Sequence, residues 1–227
     1  MLASGRDADI YEYGPRSVLR RSRQGRSMVP EARIMEYARA NGFPVPAVEE
    51  ISDDGSDMVM ERIDGADMFM SLTKRPWTIS RQGRLLAGLH DRLHEIPAPN
   101  WLADAPFGDG DRLLHLDLHP LNVILSSKGP VVIDWTNARR GDPAADVALT
   151  WVLIAAGEAP SSRIVSAIAE RARSVLVQSF LRSFDTDEVT RCLSDVVTWK
   201  VRDPHMSVAE QAGMWKVVEN AKRTSAG

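Results

Sequence analysis

The chain of 227 residues is 44% hydrophobic and 26% charged, ordinary values for a globular protein with room for one domain or two small lobes. A formal net charge of −3 offers no cationic field to a nucleic-acid backbone, and the single cysteine, Cys192, excludes an internal disulfide framework and a four-cysteine zinc site. No apolar run approaches the length of a bilayer span, and the N-terminal stretch turns charged at Arg6, unlike a signal peptide. The expectation is a soluble, cytoplasmic protein that engages neither nucleic acid nor membrane.

In chain order, Ile10–Tyr13 and Ser17–Arg20 read as short strands around the turn signal Gly14-Pro15. Pro30–Ala40 reads as a helix, with proline in its first turn and Asn41-Gly42 at its end. Phe43–Pro46 cannot continue it, because its prolines fix φ and lack donors. Val48–Ile51 and Met58–Arg62 flank Ser52–Gly55 as a hairpin. This first lobe spans 1–63, and Asp64-Gly65 opens a linker into a second lobe, 64–227. There, Ser80–Glu95 carries Leu85, Leu86, Leu89 and Leu93 at helical spacing. A Pro/Gly/Asp-rich loop follows over 97–111, and Val123–Leu125 with Val131–Ile133 form a second hairpin. After Asp142-Pro143 come three or four helices, the last opened by a capping box of Ser207 and Glu210. The pattern is a β-rich lobe, a linker and a helical lobe with one embedded hairpin.

The chemistry concentrates in residues 113–125 and 131–135. His115, Asp117 and His119 alternate, Pro120 breaks regular structure, and Asn122 opens an apolar strand. The hairpin returns the chain to Asp134. Hairpin strands lie roughly 5 Å apart, so Asn122 and Asp134 can bracket one hard cation, with Asp117 nearby. Amide and carboxylate oxygens suit magnesium, which completes its shell with water and substrate phosphates. A carboxylate, a metal and a phosphate donor together make a phosphoryl-transfer site.

The string His115-x-Asp117-x-x-x-x-Asn122 followed by Ile133-Asp134-Trp135 resembles the catalytic and metal-binding motifs of the aminoglycoside phosphotransferase family, to which choline and homoserine kinases are related. Gly141–Asp146 is similar to that family's next motif, and Leu85–His94 with Ile96-Pro97 to its Leu-x-x-Leu-His segment. In the first lobe, Ser17–Arg20 resembles the third strand, and Glu31–Arg33 the start of the helix bearing the paired glutamate. Phe43–Pro46 and Met58–Gly65 resemble the entry to and end of the nucleotide hinge. The resemblance runs over roughly residues 5–150, and several motifs in order say more than one alone. There are three departures: Leu116 replaces the family's glycine, Arg20 stands where protein kinases carry lysine, and the phosphate loop Ser4–Ala8 has only Gly5.

The resemblance implies a two-lobed, protein-kinase-like α+β fold that transfers the γ-phosphoryl group of ATP or GTP to a hydroxyl of a small molecule. Under it, Asp117 orients the hydroxyl and accepts its proton, and His119 touches the transferred group. Asn122 and Asp134 hold Mg2+. Arg20, an arginine able to bind phosphate as a fork and braced by Glu31, meets the donor phosphates under the Gly5 loop. Val18 roofs the base, the backbone of Met60, Glu61 and Arg62 meets it, and Asp146 braces the catalytic loop. Two other readings stand beside this one: a catalytically weak nucleotide-binding regulator, motivated by Arg20 and the thin phosphate loop, and a metal-dependent hydrolase built on the His115, Asp117 and His119 cluster. His90 and His94, four apart on a helix, have zinc spacing but no third ligand, which favours a structural role.

Overall fold

Residues 1–5, 7–157, 163–204 and 206–225 of the computed structural model are described below. Their contacts form two units: Met1–Asp67 with Asn122–Ala138, and Met68–Leu121 with Arg139–Gly227.

The first unit is built on a five-stranded antiparallel sheet of order β1-β2-β3-β5-β4. Its strands are β1 (Ala3–Ser4), β2 (Ala8–Tyr13), β3 (Ser17–Ser22), β4 (Val48–Ile51) and β5 (Asp57–Glu61). Gly14, at φ 73°, turns β2 into β3 in a conformation that costs glycine nothing. The β4–β5 turn is fixed by Asp54, whose carboxylate accepts from the Ser52 hydroxyl at 2.6 Å and the Ser56 amide at 3.0 Å. Helix α1 (Val29–Ala40) carries Pro30 in its first turn and buries Ala32, Ile34, Met35 and Ala38. Val18, Phe43, Val45, Met58 and Met60 are buried with them in this unit.

A smaller sheet of order β6-β8-β9 completes the unit, from Gly65–Asp67, Val123–Ser126 and Gly129–Val132. Ser126 pairs with Gly129, so the turn is only two residues, tighter than the 126–130 segment expected. The hairpin β8–β9 groups with the first unit, whereas the sequence placed it among the helices of 64–227. The reason is non-local: β6 pairs with β8, and the Val132 amide donates to the Pro44 carbonyl at 2.8 Å.

The second unit is helical. It contains α2 (Met68–Lys74), α3 (Ile79–His94), α4 (Pro143–Ala155), α5 (Arg163–Leu181), α6 (Thr186–Lys200) and α7 (Val208–Ser225). Two three-residue strands, β7 (Arg112–Leu114) and β10 (Arg139–Gly141), pair antiparallel within it. Helix α4 is apolar nearly all round and packs against α5, α6 and α7. Leu86, Leu89 and Leu93 of α3 are buried and Leu85 is half-buried. Gly83 lets α3 approach α5: a Cβ there would lie 2.7 Å from that of Ser179 and 2.9 Å from the Leu176 carbonyl oxygen. Asp142 caps α4 by accepting from the Ala144 amide at 2.9 Å, with Pro143 in the first turn. The expected capping box of α7 is formed, with Glu210 N–H to Ser207 Oγ at 3.1 Å and Ser207 N–H to Glu210 Oε2 at 2.8 Å. Among the described residues, no helix is long and apolar enough to cross a membrane.

Candidate active site

In the second unit, buried β7 leads into the stretch that bears Asp117. Leu116 sits at φ 56°, a left-handed conformation that costs a side-chain-bearing residue roughly 1–2 kcal/mol. The turn is held by Asp146 of α4, which is fully buried. Its carboxylate accepts from the Leu116 amide at 2.8 Å, the His115 amide at 3.1 Å and His94 Nε2 at 3.0 Å. Burial opposes its ionised form, but the hydrogen bond from His94 and the surrounding imidazoles outweigh that cost and hold its pKa well below the usual carboxylate range. One turn along α4, the Thr150 hydroxyl lies 2.9 Å from the Leu118 carbonyl and 2.9 Å from His90 Nε2. Buried α4 thus grips the loop before and after Asp117.

Lys200 Nζ, at the end of α6, lies 3.2 Å from Asp117 Oδ1, and His119 Nε2 lies 3.7 Å from Oδ2. The Leu121 amide donates to His119 Nδ1 at 3.3 Å, so a neutral His119 carries its proton on Nε2, facing the carboxylate. Burial of Asp117 works against its charge, but His119 first, and then the charges of Lys200 and His115, drive its pKa well below the usual range. Sequence reasoning missed Lys200. It lies 83 residues from Asp117, on a helix whose pattern gives no sign of chemistry.

In the first unit, the Arg20 guanidinium makes an ion pair with Glu31 Oε1 and stands 3.7 Å from Asp134 Oδ1. Burial lowers the pKa of Arg20, but Glu31 and Asp134 more than compensate, and it is raised. Buried Glu31 also accepts from the Trp135 amide at 3.2 Å and the Thr136 hydroxyl at 3.1 Å. It therefore ties α1 to the segment after β9 as well as to β3. Asp134 is itself left-handed at φ 65°, and its Oδ1 accepts from Thr136 at 3.1 Å. Across the β8–β9 hairpin, the Ile133 amide donates to the Asn122 carbonyl at 3.0 Å, which sets Asn122 beside the residue preceding Asp134. Asn122 and Asp134 supply hard oxygen donors, one of them a half-exposed carboxylate, a donor set that fits magnesium.

The other expected nucleotide residues lie along the same sheet. Val18 of β3 pairs with Met60 of β5, and both are buried. The Glu61 amide donates to the Ala47 carbonyl and the Arg62 amide to that of Arg16, each at 2.8 Å. These two amides are thus committed within the unit. The Gly5 amide donates to the Ala8 carbonyl at 2.9 Å.

The zinc-spaced pair is engaged in structural contacts: His90 Nδ1 meets the Leu86 carbonyl at 3.0 Å, and His94 meets Asp146. No group of three or more His, Cys, Asp or Glu able to hold a metal ion occurs among the described residues.

Residues 98–176 match the model of the Phosphotransferase enzyme family. No curated protein matches the sequence. Among solved structures, the aminoglycoside phosphotransferase APH(4)-Ia superposes with a TM-score of 0.63 at 15% identity, over 100% of this chain and 93% of that one. A choline/ethanolamine kinase family protein from Mesorhizobium loti gives 0.60 at 14% identity, over 96% and 86%. ADP-bound APH(2'')-Ib gives 0.59 at 13% identity, over 98% and 90%. The fold is that of the protein-kinase-like aminoglycoside phosphotransferases and choline kinases, in agreement with the resemblance carried by the motifs.

Proposed function

We propose that this chain is a small-molecule kinase that passes the γ-phosphoryl group of ATP or GTP to an alcohol. The observation that carries the reading is the Arg20–Glu31 ion pair standing against Asp134. It joins a cation for donor phosphates to a metal-binding carboxylate on one unit. Support also comes from ADP bound to the similar APH(2'')-Ib.

In the reaction, a bond forms between the acceptor oxygen and the γ-phosphorus. The bond to the β,γ-bridging oxygen breaks, and its electron pair leaves with the nucleoside diphosphate. The hydroxyl proton passes to the Asp117 carboxylate. Asp117, ionised across the physiological range, orients the hydroxyl, and His119 meets the transferred group and steadies its charge. Arg20, held rigid by Glu31, meets the donor phosphates. Asn122 and Asp134 would hold Mg2+, which when bound supplies positive charge to the phosphate oxygens. The base would be met along Val18 and Met60 and by the backbone of Glu61 and Arg62 other than their committed amides.

Calorimetric titration with ATP and GTP, with and without magnesium, tests the reading on wild type and Asp134→Ala. Magnesium should tighten binding in the wild type only, and the variant should have no turnover. Equal tightening in both removes Asp134 from the metal site, and no binding of either nucleotide ends the kinase reading. A catalytically weak nucleotide-binding regulator is the second reading, favoured by Arg20 in place of lysine and by a phosphate loop with the single glycine Gly5; its mark is magnesium-dependent binding without turnover.

A further inference from the structure

We infer that Lys200 is a positioning residue of phosphoryl transfer: it fixes the Asp117 carboxylate through Oδ1 so that this group meets the acceptor hydroxyl in one orientation. The inference rests on the proposed function.

Lys200 ends α6, and its side chain is 9% exposed against 16% for Asp117. Burying an ammonium group costs several kcal/mol unless its partners are well placed, so the site it reaches has consequences for the chain. Lysines in the last turn of a helix ordinarily lie out in solvent beside the carbonyl end of the dipole. Lys200 instead turns inward, 3.2 Å from Asp117 Oδ1 and 3.8 Å from Asp203 Oδ2. Asp203 is three residues along the chain and could hold a structural lysine locally. The longer reach, to the residue proposed as base, requires α6 to be packed on α4, the same helix that grips the Asp117 loop. Leu193, Val196 and Val197 of α6 are buried, which keeps the helix end from drifting. The backbone on either side of Asp117 is thus held by Asp146 and Thr150, and the carboxylate by Lys200.

A carboxylate turns about its terminal bond with little hindrance. Holding one oxygen by a charged hydrogen bond removes that freedom before the acceptor arrives, and near-attack geometry is sensitive enough that a misplacement of about 1 Å costs about 100-fold. Donor residues lie on the other unit, so loss of Lys200 should reach the rate and leave nucleotide affinity alone.

The probe is Mg-ATP hydrolysis by the full chain, with water as acceptor. The water oxygen bonds to the γ-phosphorus, the bond to the bridging oxygen breaks with its electron pair on ADP, and the proton leaves through Asp117 to solvent. Lys200→Met should lower kcat by about 10- to 100-fold with KM for ATP within about twofold of wild type. Lys200→Arg, which keeps the cation, should recover most of the loss. Melting curves establish that each variant is folded; if Lys200→Met is not, Lys200→Gln replaces it and the same split is expected. A Lys200→Met rate within twofold of wild type, or a Lys200→Arg rate as low as that of Lys200→Met, overturns the role of Lys200 while the kinase reading stands. A wild type that turns over no ATP with any acceptor overturns the kinase reading, and this role with it; Asp117→Asn should be at least as slow as Lys200→Met.

Discussion

Replacing Asp146 by alanine should be the most damaging single change in the second unit. The carboxylate is fully buried and takes three hydrogen bonds, from the amides of His115 and Leu116 and from His94. Each buried amide left without an acceptor costs about 1–3 kcal/mol, and loss of one partner of a buried pair such as His94–Asp146 costs about 3–5 kcal/mol. These costs overlap, because the loop will relax to regain some bonds. Relaxation also releases the strain at Leu116, about 1–2 kcal/mol, which offsets part of the loss. A net destabilisation of about 3–5 kcal/mol remains, against about 5–15 kcal/mol for a whole domain. Urea unfolding followed by tryptophan fluorescence measures it, since every tryptophan except Trp135 lies in the second unit. Asp146→Asn, which keeps one oxygen acceptor but presents an amide N–H2 to its former donors, should fall between wild type and alanine. A folded Asp146→Ala within about 1 kcal/mol of wild type would show that the loop is held by something else.

Arg20→Met removes a charged fork partner of the donor phosphates and should weaken ATP binding by about 10- to 100-fold, the equivalent of one charged hydrogen bond of about 1.5–3 kcal/mol. Calorimetry that returns the wild-type affinity would remove Arg20 from the donor site. His90 gives the protein an acid-sensitive helix core. Burial lowers its pKa from an unfolded value of about 6.5 to about 4, so below pH 6.5 the unfolded chain takes up a proton that the folded chain refuses. Its contribution is complete above that pH and declines as pH falls towards 4, by about 2 kcal/mol between pH 6.5 and 5. His90→Gln should flatten that part of a stability–pH curve, and an unchanged slope would place the acid sensitivity elsewhere.

Local chemistry made most elements readable from sequence. Pro30 and Asn41-Gly42 bound α1, the leucine stripe marks α3, and Ser207 with Glu210 opens α7 because both partners of that box lie within one turn. The elements that sequence did not reveal are short and hold through distant partners. β6, β7 and β10 have three residues each, too few to show a period, and pair with strands far along the chain. The same division runs through the candidate site. Asp117, Asn122 and Asp134 stand at recognisable spacings within one stretch. Lys200 has no such spacing, and neither do the bonds from Trp135 and Thr136 to Glu31, which join residues 104 and 105 positions apart.

The two left-handed residues outside glycine, among those described, are Leu116 and Asp134, and each adjoins or is a residue proposed to act. Leu116 stands where the resembling family has glycine, so the chain accepts strain that a glycine would avoid. Its side chain is fully buried, and burial of a leucine is worth about 1.5–3 kcal/mol, more than the roughly 1–2 kcal/mol of conformational cost. Glycine would therefore relieve the backbone and lose more in packing. Strain of this size persists only where the surroundings over-determine the conformation. At Leu116 that hold is the Asp146 carboxylate on its own amide; at Asp134 it is Glu31, which takes the amide of the next residue, Trp135, while Thr136 donates to the Asp134 side chain. One buried carboxylate thus sets the backbone beside the proposed base, and another sets the backbone beside the proposed metal ligand. The departure from glycine at position 116 is absorbed by the helix core and does not by itself argue for a site that has lost its activity.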